Sequence, residues 1–170
     1  LSSRKVYKHN ANLKESSKCK PLDNYAKNKL ITENKIKLII KNRYLILRIS
    51  NIIGEPINNP KKVTNNFIDK YLQFKKSKMI IAYKNYYKDF LSINQFTEIF
   101  YNIIRSKIIG TYNVSLGEKV YISEILLWLS KSNNKIFRPI NKFINDDSFY
   151  LNNKKLLNKI NIKIKKSDLR

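Results

Sequence analysis

The sequence predicts a mixed α/β fold, because helical and strand patterns alternate along its 170 residues. Apolar residues make up 42% of the chain, which is enough to form a real core in one domain. Amphipathic helical spacing occurs at 93–105, and strand-like runs occur at 43–50 and 110–117. Alternation of this kind indicates α/β or α+β layering of helices on a sheet.

The first third of the chain carries one helix and one strand. The segment PLDNYAKNKLITENKIKLIIK, 21–41, is predicted as a helix because Pro21 and Asp23 supply a start signal, with Asp23 as N-cap. The run RYLILRIS, 43–50, is predicted as a buried strand. A loop follows by composition, marked by Gly54, Pro56 and Pro60.

The middle of the chain continues the alternation. A second helix is predicted at 63–75, followed by short strands at 78–83 and 86–93. Apolar residues then recur with helical spacing from Ile93, which predicts an amphipathic helix that ends near Arg105.

The last third is predicted to contain a strand, two helices and a docked tail. GTYNVSLG, 110–117, is a strand that ends in a turn, and ISEILLWLSKS, 122–132, is a helix with Ser123 as N-cap. The tail, 151–170, is rich in Lys and Asn but keeps regular apolar positions. We therefore expect a short helix and a docked extended segment there, rather than a disordered arm.

The formal net charge of +23 raises the possibility of a nucleic-acid-binding protein. The segment AYKNYYKDF, 82–90, also interleaves tyrosines with lysines, a pattern that single-strand binding platforms use. However, lysines are scattered along the whole chain, whereas an electrostatic footprint is usually concentrated in a stripe, tail or recognition helix. Nucleic-acid binding is therefore the weaker alternative, and we interpret these tyrosines as sheet or pocket residues.

Several classes of protein are disfavoured by what the sequence lacks. With one cysteine, Cys19, and one histidine, His9, a disulfide within the chain is excluded, and we predict no metal site. No apolar run approaches the roughly 20 residues that span a bilayer, and no signal peptide is visible. An unpaired thiol fits a reducing compartment, so we expect a cytoplasmic protein without membrane association.

Two further features suggest that the chain is the back portion of a longer protein. It opens on Leu1 rather than Met, and it contains only three glycines: Gly54, Gly110 and Gly117. A Gly-rich phosphate-binding loop cannot be built from glycines so far apart.

Tyr25 and Lys29 form the one constellation that suggests chemistry. They are one helical turn apart and share a face. An ammonium near a phenol favours the phenolate, so such a tyrosine can exchange a proton with a substrate hydroxyl or carbonyl near neutral pH. A serine at a neighbouring strand end, such as Ser3, could hold the same oxygen. Because Tyr and Lys are abundant here, an ordinary solvated helix face remains the alternative.

Five segments, in the right order, resemble the extended short-chain dehydrogenase/reductase family, which includes nucleotide-sugar epimerases, dehydratases and reductases. LSSRKVY is similar to the family's Ser-Ser-x-x-Val-Tyr strand end, and PLDNYAKNKLITE to its Pro-x-x-x-Tyr-x-x-x-Lys-x-x-x-Glu helix. LRISNIIGEP resembles Arg-x-x-Asn-x-x-Gly. YKDFLSINQFTEIF and GTYNVSLGEKVYISEIL resemble the Arg-Asp-Phe segment and the Gly-x-Tyr-Asn segment of the substrate domain.

The resemblance implies a role for individual residues. It makes Ser3, Tyr25 and Lys29 catalytic, and it places Tyr25, Lys29 and Ser50 at the cofactor. Asn51 and Lys88 would contact the nucleotide-sugar. Lys88 replaces the family's arginine, which keeps the charge but loses bidentate phosphate recognition.

The resemblance also implies a fold and an activity. Residues 1–60 would be the closing strands and helices of a Rossmann sheet, and 61–170 a small α+β substrate-binding part, with the N-terminal half of the fold missing. The expected function is that of an NAD- or NADP-dependent nucleotide-sugar epimerase or dehydratase, a homodimer at full length. A 4-keto reductase and an inactive homologue are the alternatives. Without the Gly-rich turn, we expect the chain alone to be inactive and to bind NAD(P) weakly.

Overall fold

A computed structural model of the chain describes residues 1–54, 79–132, 136–140 and 148–169. The predicted helix at 63–75 and most of the predicted loop after Gly54 lie outside these ranges. No helix in the described ranges is long and apolar enough to cross a membrane.

The described elements alternate as the sequence predicts. The strands, in chain order, are β1 (Ser2–Ser3), β2 (Asn12–Leu13), β3 (Leu45–Ile49), β4 (Asn51–Ile53), β5 (Met79–Tyr83), β6 (Tyr87–Lys88), β7 (Phe90–Ser92), β8 (Gly110–Val114), β9 (Val120–Tyr121), β10 (Ile136–Ile140) and β11 (Tyr150–Leu151). The α-helices are α1 (Asn24–Ile40), α2 (Ile93–Ser106), α3 (Ile122–Ser132) and α4 (Lys154–Ile160). Short 3-10 helices cover Arg4–Val6 and Lys166–Leu169.

The chain forms two compact units, each assembled from separate stretches. The first unit contains Leu1–Ile53, Lys88–Lys119 and Asp147–Arg170, and the second contains Gly54–Tyr87 and Val120–Asp146. The predicted boundary at residue 60 lies outside the described residues, so the division of roles between 1–60 and 61–170 stays a prediction.

Parallel strand pairing organises the first unit. β3 lies at the centre of a three-stranded sheet, with β1 on one side and β8 on the other, both parallel to it. In this register Ser3 is paired with Ile49, and Ile49 with Val114. Two further parallel pairs join β4 to β7 and β2 to β11. The fold is therefore a mixed α/β fold with parallel strands, as predicted.

Helices α1 and α2 of the first unit begin at residues whose side chains cap them. Asp23 is the N-cap of α1, and its side chain accepts a hydrogen bond from the Ala26 amide at 2.7 Å. α2 begins after Ser92 and ends at Ser106, close to the predicted Arg105. The tail is docked as predicted, because the Gln95 side chain donates to the Lys165 carbonyl at 2.9 Å.

The second unit pairs β5 with β10 in parallel and contains α3. The prediction of Ser123 as N-cap is wrong, because Ser123 is the second residue of α3 and its hydroxyl donates to the Lys84 carbonyl at 3.3 Å. Ile122, Ile125 and Leu126 of this helix are buried.

A buried ion pair joins α1 to the sheet. Arg48 on β3 and Glu33 on α1 are both almost fully buried, and Arg48 Nη2 lies 2.6 Å from Glu33 Oε2. The Ser2 hydroxyl donates to Glu33 Oε1 at 2.6 Å. Burial pushes the pKa of Glu33 up, but hydrogen bonds from Arg48 and Ser2 outweigh it and hold the pKa of Glu33 below its ordinary value. This pairing fixes α1, and hence Tyr25, against β1 and β3.

Candidate active site

The first turns of α1 present Tyr25 and Lys29 together, as predicted. Tyr25 is 53% exposed, and Lys29 Nζ lies 5.7 Å from the centroid of its ring. The same ammonium donates to the Leu1 carbonyl at 3.2 Å, which fixes it between α1 and the chain that enters β1. The pair therefore faces outward from α1, with its cation held in place.

A second cation approaches the same tyrosine, and sequence reasoning missed it. Lys5 Nζ lies 5.9 Å from the Tyr25 ring centroid and forms an ion pair with Asp23 at 2.9 Å. Both ammonium groups fall within the roughly 6 Å over which a cation attracts an aromatic face. The sequence did contain one indication of this contact. Lys5 comes two residues after Ser3, in the segment that was expected to lie near the start of α1.

Ser3 lies at the strand end where the resemblance predicts it, but its hydroxyl has another partner. Its Oγ accepts a hydrogen bond from the Lys5 amide at 3.3 Å and caps the 3-10 helix Arg4–Val6. Within the described residues, the Ser3 hydroxyl makes no hydrogen bond to Tyr25. The structure thus brings Tyr25 and Lys29 together and leaves Ser3 on an adjacent element.

Ser50 and Asn51 follow β3 and meet the segment between β6 and β7. The Asn51 side-chain amide donates to the Asp89 carbonyl at 3.0 Å. The Ser50 Oγ is buried, and among the described residues it has no partner that meets the geometric limits of a hydrogen bond. It nevertheless lies close enough to the Asp89 carboxylate to lower the pKa of that group. Both predicted ligand-binding residues are therefore grouped around Asp89.

Asp89 is a buried carboxylate to which the sequence alone assigns no role. Its oxygens accept hydrogen bonds from the amides of Leu116, Gly117 and Leu151 at 2.9, 3.2 and 3.0 Å. Gly117 has φ +87°, and a side chain there would collide with the Asn153 amide, so the turn requires glycine. The carboxylate therefore joins the turn after β8 to β11.

Burial is the main influence on the protonation of Asp89. It raises the pKa of this carboxyl to about 7, even though the three backbone amides and the Ser50 hydroxyl act in the opposite direction. Sequence reasoning could not have assigned this role, because the amides that define it come from two distant segments.

Lys88, the predicted substrate contact, is buried. Its ammonium lies 5.3 Å from the Phe149 ring centroid, and the Arg4 guanidinium carbon lies 3.8 Å from the same centroid. Phe149 is fully buried and packs in a core cluster of the first unit, whose other members are Val6, Tyr7, Leu13 and Leu151. Lys88 thus supports the aromatic ring from within the unit.

A cleft of about 220 Å³ lies above this cluster. It is lined by Arg4, Lys5, Tyr7, Lys8, His9, Leu13, Leu22, Asp23 and Phe149. Tyr7 is positioned beneath it by a hydrogen bond from its hydroxyl to Asn113 Oδ1 at 2.6 Å, and burial raises the pKa of Tyr7 to about 12. Lys5 connects this cleft to Tyr25, because it lines the cleft and also lies over the Tyr25 ring.

Tyr25, Lys29 and Ser50 carry polar groups of the kinds that bind parts of a nicotinamide dinucleotide. Tyr25 and Lys29 offer a hydroxyl and an ammonium on an exposed face, the kinds of donor that bind ribose hydroxyls. Ser50 Oγ is a buried hydroxyl without a full hydrogen bond. Among the described residues, no group of three or more His, Cys, Asp and Glu side chains is placed to hold a metal ion.

Comparison with solved structures identifies the fold. A UDP-N-acetylglucosamine 4-epimerase from Methanobrevibacter ruminantium, in complex with UDP-N-acetylmuramic acid, matches 99% of this chain at 24% identity, with a TM-score of 0.72. The chain has the fold of part of a UDP-sugar epimerase. No family model and no curated protein matches the sequence.

Two other epimerase-fold structures give the same result. UDP-glucose 4-epimerase from Thermotoga maritima, with UDP-glucose, matches 96% of the chain at 16% identity, with a TM-score of 0.75. RMD from Pseudomonas aeruginosa, complexed with NADPH, matches 96% at 19% identity, with a TM-score of 0.73. The chain spans 57%, 57% and 59% of the Methanobrevibacter, Thermotoga and Pseudomonas chains, respectively.

Proposed function

We propose that this chain is the C-terminal part of an NAD- or NADP-dependent nucleotide-sugar epimerase or dehydratase of the extended short-chain dehydrogenase/reductase family. The observation that carries the proposal is the outward-facing Tyr25 with Lys29 Nζ 5.7 Å from its ring. The order of the five family-like segments and the epimerase fold support it.

Tyr25 is the proposed acid/base. Its phenol exchanges a proton with a hydroxyl or ketone oxygen of the sugar. The ammonium groups of Lys29 and Lys5 stabilise the negative charge that develops on oxygen during this transfer. Ser3 would hold the reacting oxygen: its Oγ accepts a hydrogen bond from the Lys5 amide, and its own O–H can donate to the substrate at the same time.

Tyr25, Lys29 and Ser50 are the residues proposed to contact the cofactor. A bound nicotinamide supplies hydride transfer to and from the sugar carbon. Lys29 is already anchored at the Leu1 carbonyl, so it can donate to a ribose hydroxyl without further ordering of its side chain. Asn51 and Lys88 are proposed to position the nucleotide-sugar: Asn51 directly, and Lys88 through Phe149.

The first prediction concerns Tyr25 in the complete polypeptide that carries this chain. With a UDP-sugar and NAD⁺ or NADP⁺, Tyr25→Phe should lower kcat by roughly 10²–10⁴-fold, because the proton-transfer group is lost. Cofactor affinity should change little. Product formation followed by NMR measures kcat, and cofactor titration measures affinity.

Matched variants control this experiment. Tyr101→Phe removes another exposed tyrosine hydroxyl, on α2, and should leave kcat unchanged. Lys29→Gln, which removes the ammonium 5.7 Å from the Tyr25 ring, should also lower kcat, and Lys27→Gln, at an exposed position of the same helix, is its control. Near-normal turnover by Tyr25→Phe would remove Tyr25 from the mechanism.

A further inference from the structure

Two helices of the first unit end at the same edge of its sheet. α1 returns to β3 through residues 41–44, and α2 returns to β8 through residues 107–109. β3 and β8 are parallel and begin side by side, because the Gly110 amide donates to the Tyr44 carbonyl at 2.7 Å. The two helix ends therefore lie at the edge where these strands begin, and Ser50 follows β3 at the opposite edge.

Exposed aliphatic side chains are grouped at this edge. Leu38 and Ile39, in the last turn of α1, are 79% and 76% exposed, and Ile104, in the last turn of α2, is 63% exposed. Isolated apolar side chains are ordinary on a protein surface, whereas a group of them marks an interaction site. We call the exposed group at this edge the basal patch, and its members are Leu38, Ile39, Ile40, Leu45, Ile104 and Ile109.

The charged side chains on the segments that form this edge are all positive. No Asp or Glu occurs in 34–54 or in 99–117. Lys41, Arg43 and Lys107 are exposed in the turns after the two helices, and within the described ranges none of the three side chains forms an ion pair. The basal patch is therefore an apolar surface bordered by uncompensated positive charge.

The arrangement of the apolar residues favours a flat partner. Leu38, Ile39 and Ile40 are consecutive, and adjacent side chains on a helix point in directions about 100° apart, so the three surround the end of α1. A helix that docks into a groove on another protein instead presents residues at i, i+3, i+4 and i+7 on one face. Three consecutive projecting residues suit an apolar layer that all of them can enter.

The charge distinguishes between the possible partners. A second copy of the chain is disfavoured, because two basal patches in contact would bring like charges together. Nucleic acid would match the charge but would leave the aliphatic side chains in water. An anionic lipid surface matches both properties, because its negatively charged headgroups cover an apolar layer that surface-bound proteins enter to a depth of about 5–10 Å.

We propose that the basal patch docks this protein on the surface of an anionic lipid bilayer. Leu38, Ile39 and Ile104 enter the boundary between headgroups and acyl chains, while the neighbouring lysines and arginine meet the lipid phosphates. The prediction of no membrane association was based on the lack of a spanning run and of a signal peptide, and surface docking needs neither. Because Ser50 and the start of α1 lie at the opposite edge, the docked protein keeps the candidate active site open to water.

Sedimentation of the 170-residue chain with lipid vesicles tests the proposal. Its affinity for vesicles of phosphatidylcholine mixed with phosphatidylglycerol should exceed its affinity for pure phosphatidylcholine vesicles by at least about 10-fold, and should fall as salt is raised. The complete polypeptide that carries this chain should also bind the mixed vesicles at physiological salt. Failure of either protein to bind them at that salt, or equal affinity for the two kinds of vesicle, would overturn the proposal.

Variants that keep the net charge separate insertion of apolar side chains from simple charge attraction. Leu38→Gln should weaken binding to the mixed vesicles by about 5-fold or more, because an aliphatic side chain no longer enters the apolar layer. Leu22→Gln is the matched control: Leu22 is 78% exposed but precedes α1, at the opposite edge, so affinity should be unchanged. Unchanged affinity in Leu38→Gln, or equal losses in the two variants, would refute the basal patch as the docking surface.

The contribution of charge has its own pair of variants. Arg43→Gln should weaken binding to the mixed vesicles by about 3–5-fold, and Lys14→Gln, at an exposed position outside both segments, should have a smaller effect. Equal losses in these two variants would indicate a diffuse effect of net charge and would refute the charged contact at this edge. Tyr25→Phe should bind the vesicles with unchanged affinity, so the outcome does not depend on whether Tyr25 acts in catalysis.

Discussion

At the scale of single residues, Asp89 is the group with the most unusual environment described for this chain. Its carboxylate is fully buried and is surrounded by three backbone amide donors and the Ser50 hydroxyl. Burial nevertheless dominates and raises the pKa of Asp89 to about 7, from an ordinary 3.8. When Asp89 is neutral, its carboxyl carries a proton that it can donate. The nearby Ser50 Oγ, which is buried and has no hydrogen-bond partner among the described residues, can accept it.

This pKa has a consequence for stability that can be measured. A carboxyl whose pKa is higher in the folded state stabilises the fold below its unfolded pKa, and this contribution is lost as pH rises through the folded pKa. The free energy of unfolding should therefore fall as pH rises from about 4 to about 7, by something on the order of 2–4 kcal/mol. Urea unfolding at several pH values measures it.

The Asp89→Asn variant isolates this contribution. It should show a flatter dependence of unfolding free energy on pH between about 5 and 8. Glu33 and Asp23 do not confuse the test, because their pKa values lie below the ordinary ones and both are ionised throughout this range. An unchanged slope in Asp89→Asn would show that another group titrates.

At the scale of elements, the start of α2 shows how one side chain serves two purposes. Ser92 Oγ accepts from the Gln95 amide at 3.2 Å, and the Gln95 side-chain oxygen accepts from the Ser92 amide at 3.0 Å, which completes a capping box. The nitrogen of the same Gln95 side chain holds the tail at Lys165. The cap and the docked tail are therefore coupled.

Loss of this cap should destabilise the fold measurably. Ser92→Ala should lower the free energy of unfolding by about 1 kcal/mol, because the first turn of α2 loses a side-chain acceptor. Ser106→Ala, at the other end of the same helix, removes an exposed hydroxyl and should cost less than ~0.5 kcal/mol. Equal costs for the two variants would contradict a capping role for Ser92.

Local patterns predicted the elements well, and the reason is physical. The Asp23 cap of α1 and the apolar spacing of α2 involve residues within a few positions of one another, so the sequence displays them directly. Ser123 shows the limit of local signals, because a serine near a helix start can also bond elsewhere, and here it bonds to the Lys84 carbonyl.

The candidate site was only partly predictable, because much of it depends on distant segments. Tyr25 and Lys29 are one turn apart, and their pairing was evident from spacing. The cleft of about 220 Å³ forms where Arg4 packs on the Phe149 ring, and the sequence contains no sign that these two residues meet. The resemblance to a family supplied Ser50 and Asn51, but not the carboxylate of Asp89 around which they gather.

At the scale of the whole molecule, charge is the dominant property. The net charge of +23 makes weak association with polyanions unavoidable at low salt. We expect no sub-micromolar affinity for random single- or double-stranded DNA at physiological salt, because no concentrated stripe of cations is predicted. Fluorescence anisotropy across a salt series measures this affinity. Sub-micromolar binding, with a steep salt dependence, would instead favour the nucleic-acid alternative.

The position of Phe149 beneath the cleft also constrains how the protein is made. Phe149 is 145 positions after Arg4, whose guanidinium is stacked on its ring. At a synthesis rate of about 5–20 residues per second, the ribosome needs roughly 7–30 s between them. Throughout that interval the nascent segment around Tyr7 and Leu13 lacks the ring that covers it, so the apolar patch is exposed to chaperones or to misassembly until Phe149 has been synthesised.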